Sequence, residues 1–323
     1  MAAPRFDCHV HLVGNGLSGS GCWLKVPGGW HRFLAEFMRR GVGLPTRLDD
    51  PGFDAAYVAS LTELRRGSGL DHALLLAQDE VYADDGRKLD FGSFHVPNDH
   101  LFAVCRAHPE FLPAVSIHPA RPDALAELER CLALGARALK LLPNCQNVDC
   151  ASPRYEAFWR RMAEAKLPFL SHTGGEMTVP VMRRDFQDPR ILRRPLELGV
   201  TVIAAHAASH SHFFDANYFG ELTKLMDEFP RLYADTSALN SPIRSGVLKS
   251  VLASRWRERF LHGSDYPVPV GPLWARLRGL ITAEQRREAG RIDNLIGRDA
   301  YLKKAMGFED AHFTRLAEVL RPV

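Results

Sequence analysis

Eight short apolar segments recur along this 323-residue chain, and their number and spacing constrain its fold more than any other feature. They run Phe6–Leu12, Ala73–Ala77, Leu112–Ile117, Ala138–Leu142, Phe169–His172, Val202–His206, Leu232–Asp235 and Phe260–Asp265. Most are near-continuously apolar rather than alternating, as expected of parallel strands covered on both faces, and each runs into a polar or Gly/Pro-containing turn. Amphipathic helical stretches separate several of them, such as Asp123–Leu134, with Gly135 placed as a stop, and Tyr155–Ala165. From the third segment onward the spacing is roughly thirty residues, the size of one strand plus its crossover helix. The chain therefore reads as α/β, with eight units closing into a (β/α)8 TIM barrel. No early strand is followed by a GxGxxG turn, which argues against an open dinucleotide-binding sheet.

The gap between the first two segments is about twice one unit. Its extra length, including Gly28–Arg40 with a helix-like stretch at Trp30–Met38, predicts an insertion over the barrel mouth. The tail from Arg291, including Arg298–Met306 and Ala311–Leu320, predicts two closing helices. Nothing in between reads as a linker or low-complexity tract, so residues 1–323 are expected to form a single domain.

Charge and cysteine usage narrow the function classes. The 41 basic and 38 acidic residues give a net charge of only +3 and are interspersed, so no basic stripe marks a nucleic-acid or anionic-membrane footprint. The first strand begins near Phe6, leaving no room for a secretory signal, and no apolar run approaches membrane-spanning length. A cytoplasmic protein acting on a small molecule is expected. The six cysteines, Cys8, Cys22, Cys105, Cys131, Cys145 and Cys150, form no CxxC pair, so they read as reduced packing residues.

The strongest chemical signal is Phe6-Asp7-Cys8-His9-Val10-His11-Leu12, because strand alternation puts His9 and His11 on one face, where two imidazoles can reach one ion. A lone pair of this kind also arises by chance, and the chain has a second at His210 and His212. What favours the first pair is its company: Ser171-His172-Thr173-Gly174, Ala205-His206-Ala207 and His262-Gly263-Ser264-Asp265-Tyr266-Pro267 close segments five, six and eight. In a barrel those strand ends converge on one mouth.

With these residues the sequence resembles the amidohydrolase superfamily, which carries an HxH on strand one, histidines ending strands five and six, and an aspartate ending strand eight. The resemblance spans nearly the whole chain. It assigns the HxH to His9 and His11, the strand-five ligand to His172, the strand-six histidine to His206 and the strand-eight aspartate to Asp265. The Gly-Ser-Asp-Tyr-Pro wording most resembles the amidohydrolase-related (amidohydrolase 2) branch, which holds both hydrolases and nonoxidative decarboxylases. It also implies that a homo-oligomer is an option.

Lys140 sits in Ala138-Leu139-Lys140-Leu141-Leu142, where an isolated ammonium is costly unless paired or modified. In binuclear members of the superfamily a lysine ending strand four is carboxylated and bridges two metals; the alternative here is a paired or snorkelling lysine. His206 would join a second metal in the binuclear case. His118 ends segment three and faces either substrate or a structural partner, His262 falls out of phase with Asp265 and reads as structural, and the His210/His212 pair reads as solvated. HxxxH spacing at His206 and His210 lacks the glutamate of a zinc-protease helix, because Ala207 stands in its place. Trp23, Lys25, Trp30, Asp79, Glu80 and Arg244 are loop candidates for contacting substrate.

Imidazoles plus one carboxylate suit Zn²⁺ first and accept Mn²⁺, Fe²⁺ or Co²⁺, as one ion or two. Such an ion lowers the pKa of a bound water to about 7. The expected activity is therefore hydrolysis of an amide, lactone or other ester in a small polar substrate, with Asp265 and His206 as the catalytic pair. A metal-dependent decarboxylase of the aminocarboxymuconate semialdehyde type is the enzymatic alternative, and a non-catalytic metal-binding barrel is the alternative of another class.

Overall fold

The computed structural model describes residues 3–26, 28–44, 46–212 and 214–321, without the side chains of Trp30, His31 and Leu34. Among the loop candidates, the Trp30 side chain thus lies outside the described residues.

All eight segments form strands of one parallel sheet in chain order: β1 (Phe6–His11), β2 (His72–Leu76), β3 (Phe111–Val115), β4 (Ala138–Leu141), β5 (Phe169–Ser171), β6 (Val202–Ala204), β7 (Leu232–Asp235) and β8 (Phe260–Leu261). Backbone bonds from Cys8 N to His262 O, Asp265 N to His9 O and His11 N to Tyr266 O join the last strand to the first, so the sheet is a barrel. Most strand ends differ by a residue or two from the sequence reading, and two of the differences bear on the site. β6 stops at Ala204 and β8 at Leu261, since each is followed by a turn that carries the site residue.

Side chains sort into two buried layers. Outward residues such as Leu75, Leu139, Phe169 and Val202 pack under the surrounding helices, while Leu74, Leu76, Ala114, Ala138, Leu170, Ile203 and Leu261 fill the barrel. β1 serves the interior twice. Asp7 pairs with Ala73 but Val10 with Leu75, so three steps on β1 match two on β2. This bulge changes the phase of the strand, letting Phe6 and Cys8 join the inner apolar cluster while His9 meets His206 and Asp265 and His11 lines the mouth. The helix Ala124–Ala133 ends as expected, with Gly135 at φ 90°, a left-handed conformation that glycine adopts without Cβ strain.

The insertion after β1 comprises a strand at Trp23–Leu24 and the amphipathic helix Trp30–Gly41, before the crossover helix Phe53–Arg66. Trp23–Leu24 pairs antiparallel with Phe94–His95 from the β2–β3 connection, so a second connection joins the cover over the mouth. That connection also forms a ribbon from Val81–Tyr82 and Lys88–Leu89, which its polar sequence did not announce. After β8, the helix Leu295–Ala305 closes the outer ring, with Asn294 Nδ2 bonded to Leu64 O at 2.7 Å. The tail then departs from expectation: it folds as two short turns, Asp310–Thr314 and Leu316–Val319, rather than one helix over Ala311–Leu320. His312 is tied to Phe260 O, and Leu316, Val319 and Leu320 join the inner cluster, so the tail follows the barrel floor. All six cysteines are buried and free. No described helix is long and apolar enough to cross a membrane.

Candidate metal centre

Strand register sets the level of the site. Leu141 pairs with Ser171, Ser171 with Ala204 and Ala204 with Ala234, so the residues just beyond these positions emerge together at the C-terminal mouth. β8 must then lie close against β1, and Gly263 permits it: a Cβ there would stand 2.9 Å from the His9 Cβ and 3.1 Å from the Cys8 Sγ. Asp265 and His206 both adopt left-handed backbone, at φ 68° and 59°, which turns their side chains back over the barrel. Such conformations cost non-glycine residues roughly 1–3 kcal/mol and cluster where a side chain must be aimed.

The result is one compact group. His9, His206 and Asp265 place ligand atoms within 4.8 Å of one another. His9 Nε2 is 3.2 Å and His11 Nε2 is 3.4 Å from Asp265 Oδ1, while His172 Nδ1 is 3.2 Å from His206 Nε2. His206, not His172, thus belongs to the tightest triad, and His11 and His172 flank it.

Hydrogen-bond partners fix where the protons are. His9 Nδ1 donates to Asp235 Oδ2 at 2.8 Å, His206 Nδ1 to the Ser237 carbonyl at 3.1 Å, and His172 Nε2 to the Gly175 carbonyl at 3.2 Å. Carboxylate and carbonyl oxygens can only accept. Each ring therefore turns a bare nitrogen inward: His9 Nε2 faces an Asp265 oxygen, and His206 Nε2 faces His172 Nδ1. Electron pairs confront electron pairs with no proton between them, an arrangement that a cation resolves. Burial keeps the rings neutral. It holds the pKa values of His9 and His206 well below the ordinary histidine range, with the Lys140 charge adding to the effect on His9 and the Arg244 charge to that on His206. Burial likewise depresses His172. Neutral imidazole nitrogens and one carboxylate fit a divalent metal.

Several contributors were not picked out from sequence. Asp235, at the end of β7, bonds His9 through Oδ2 and the His206 amide through Oδ1 at 2.8 Å, locking two candidate ligands to one carboxylate. Its position at a strand end, shared with His172 and His206, was the available signal. Ser237 Oγ lies 2.8 Å from His206 Nδ1. Glu176 Oε2 lies 3.6 Å from His172 Nε2; burial raises its pKa, but the neighbouring His172, the Arg244 charge and hydrogen bonds from Thr178 together leave it lowered. Asp7 bonds the amides of His9 and Ser264, bracing the two ligand-bearing turns.

Lys140 is fully buried, with Nζ 3.3 Å from His9 Nε2. Among the described residues no carboxylate pairs with it, and burial lowers its pKa to about 8. Arg244, also buried, donates to Ser209 O at 3.0 Å and Gly175 O at 2.6 Å, so it braces the loops behind His172 and His206.

The remaining candidates are occupied elsewhere. His118 has both ring nitrogens bonded, to Gln146 O at 2.6 Å and the Ala120 amide at 3.1 Å, and burial lowers its pKa to about 4. Asp79 is buried against the His118 amide and Arg121, Glu80 accepts from Trp23 Nε1, and Lys25 pairs with Asp90. His262 is buried against Phe313, away from the centre, although β8 ends before it and strand alternation does not set its direction. His212 is exposed and His210 half-buried, outside the cluster.

Residues 6–289 match the family model described as Amidohydrolase, Amidohydro_2. The chain belongs to the amidohydrolase family. No curated protein matches this amidohydrolase significantly. Solved structures do. A putative 2-pyrone-4,6-dicarboxylic acid hydrolase from Pseudomonas putida is 17% identical, with 99% of this chain and 98% of that one covered at a TM-score of 0.57. An uncharacterised TIM-barrel protein from Bordetella bronchiseptica is 16% identical, with 94% and 100% covered at 0.58. A 2,6-dihydroxybenzoate decarboxylase is 16% identical, with 95% and 100% covered at 0.51. At these identities the likeness establishes the barrel fold.

Proposed function

We propose that this amidohydrolase is a metal-dependent hydrolase of an amide, lactone or other ester bond, with a divalent cation, zinc first, held by His9, His11, His172 and Asp265. One observation carries the reading: bare nitrogens of neutral imidazoles converge on each other and on a carboxylate at the barrel mouth. When bound, the cation supplies Lewis acidity toward water and a carbonyl oxygen. The chain supplies the rest. Asp265 takes the proton of the attacking water at its carboxylate, and that same proton passes on to the leaving group, with the bare Nε2 of His206, kept neutral by burial, as its carrier. Asp235 holds His9 in the tautomer that leaves Nε2 bare.

His9→Ala and Asp265→Ala should each lose bound metal and metal-dependent turnover while circular dichroism shows an intact barrel. Wild-type metal content and turnover in both variants would sink the proposal. Release of carbon dioxide from a carboxylic-acid substrate, with no water added across a bond, would move the chain to the decarboxylase reading.

A further inference from the structure

The centre lies at the floor of a cleft of about 1220 Å³, counting its open mouth, and the walls differ sharply from the floor. His11, Lys140, His172, Glu176, His206 and Asp265 form one end. Beyond them the lining is largely apolar and includes Leu24, Met38, Val42 and Leu48 from the insertion, Phe94 from its partner loop and Phe53 from the crossover helix. Three polar groups on these walls already have partners. Arg39 bonds Glu36 through two nitrogens, at 2.8 and 2.6 Å, and also donates to Leu44 O; Lys25 pairs with Asp90; the Tyr57 hydroxyl donates to His11 O at 2.7 Å. The helix Trp30–Gly41 contributes Ala35 and Met38 to the cleft, and Val42, its C-cap, continues that apolar face at helical spacing.

From this arrangement we infer that the substrate is amphiphilic: the reacting polar group sits at the histidine cluster, and an apolar acyl or aryl group, without a second charge, fills the walls made by the insertion. Only the identity of the reacting bond rests on the hydrolase reading. A wall of this kind recognises apolar surface by desolvation, so affinity rises with each methylene the cleft can bury, by about 0.8 kcal/mol or about fourfold. An anionic or polyhydroxylated extension would instead lose hydration against a lining with few free polar partners.

The test is calorimetric titration of the metal-loaded protein with acetohydroxamate, butyrohydroxamate, hexanohydroxamate and octanohydroxamate, with metal content measured in parallel. The dissociation constant should fall about fourfold per methylene until the cleft is filled. In Met38→Gln/Val42→Thr, which keeps side-chain size but adds polar atoms, the ratio between the acetyl and octanoyl probes should shrink severalfold. Acetohydroxamate binding with no dependence on chain length overturns the inference and leaves the hydrolase reading intact. If the protein takes up no metal, the hydrolase reading falls, and the matching series of simple carboxylates decides the cleft alone: a persisting slope supports it, and a flat one overturns it.

Discussion

His9 donates its Nδ1–H to Asp235 Oδ2 at 2.8 Å, and this pair decides which nitrogen of the ring faces the centre. Asp235→Asn keeps the shape and one acceptor oxygen but can place an amide N–H against His9. The ring would then carry its proton on Nε2, where the metal lone pair is needed. Metal affinity should fall about 10–100-fold with the fold retained, as losses of such orienting partners generally do. Competition against a chelator measures it. Equal affinities in wild type and variant would show that Asp235 does not set the tautomer.

His206 poses a sharper question, because it stands in the tightest triad and is also the proposed proton carrier. Its φ of 59° makes asparagine the substitution of choice, since asparagine tolerates left-handed backbone better than alanine. If His206 acts on substrate, His206→Asn should lower turnover by about 10²–10⁴-fold, the usual size of a general acid–base contribution, while retaining most of the metal. Loss of one metal equivalent would make it a ligand instead. Unchanged turnover with unchanged metal would remove it from both roles.

Much of this was legible in the sequence, for physical reasons that also set the limit. Parallel strands buried on both faces leave continuous apolar runs, so all eight could be read from Phe6 to Leu261 without long-range information. His9 and His11 announced themselves because alternation is local. The bulge in β1 did not, since it depends on what Ala73 and Leu75 offer across the strand pair. Nor did the left-handed turns at His206 and Asp265, which tertiary contacts impose on residues without glycine's freedom. Asp235 was passed over because a carboxylate ending a strand acquires meaning only when His9, 226 positions away in sequence, arrives beside it. The apolar walls were missed because they are shared between an insertion and a loop whose apposition no local pattern records.

His312 offers a test of the barrel floor remote from the centre. Its ring is buried between Phe260 O, 2.9 Å from Nδ1, and Thr236 Oγ1, 3.1 Å from Nε2, and burial lowers its pKa from 6.5 to about 3, with the Lys303 charge acting in the same direction. The folded state thus keeps this ring neutral where the unfolded chain protonates it. Because the unfolded state binds more protons, stability should fall as pH drops below about 6.5 and continue falling toward about 3, by up to about 1.4 kcal/mol per pH unit from this group. His312→Gln should lose that part of the slope, whatever its absolute stability. Urea unfolding across the acid range compares the two, and parallel pH profiles would refute the assignment.

Lys140 carries the last prediction, on metal stoichiometry. A fully buried lysine with His9 Nε2 as its 3.3 Å neighbour, and no carboxylate paired with it among the described residues, lacks the usual reason for being inside a protein. Carboxylation by carbon dioxide would supply one: the amine, once deprotonated, adds carbon dioxide and releases a proton to solvent, giving a carbamate anion beside His9 able to bridge two cations. The protein loaded in bicarbonate should then carry about two metals per chain, and Lys140→Ala should keep only one. A short carboxylic acid such as acetate should restore part of the second equivalent by occupying the vacated bridge. A stoichiometry fixed at one, with an unmodified Lys140 by mass spectrometry under the same loading, would leave the lysine as a buried neighbour of His9. In that case Lys140→Met, which removes the charge and keeps most of the volume, should be at least as stable as wild type, because desolvating an unpaired ammonium costs more than its single contact returns.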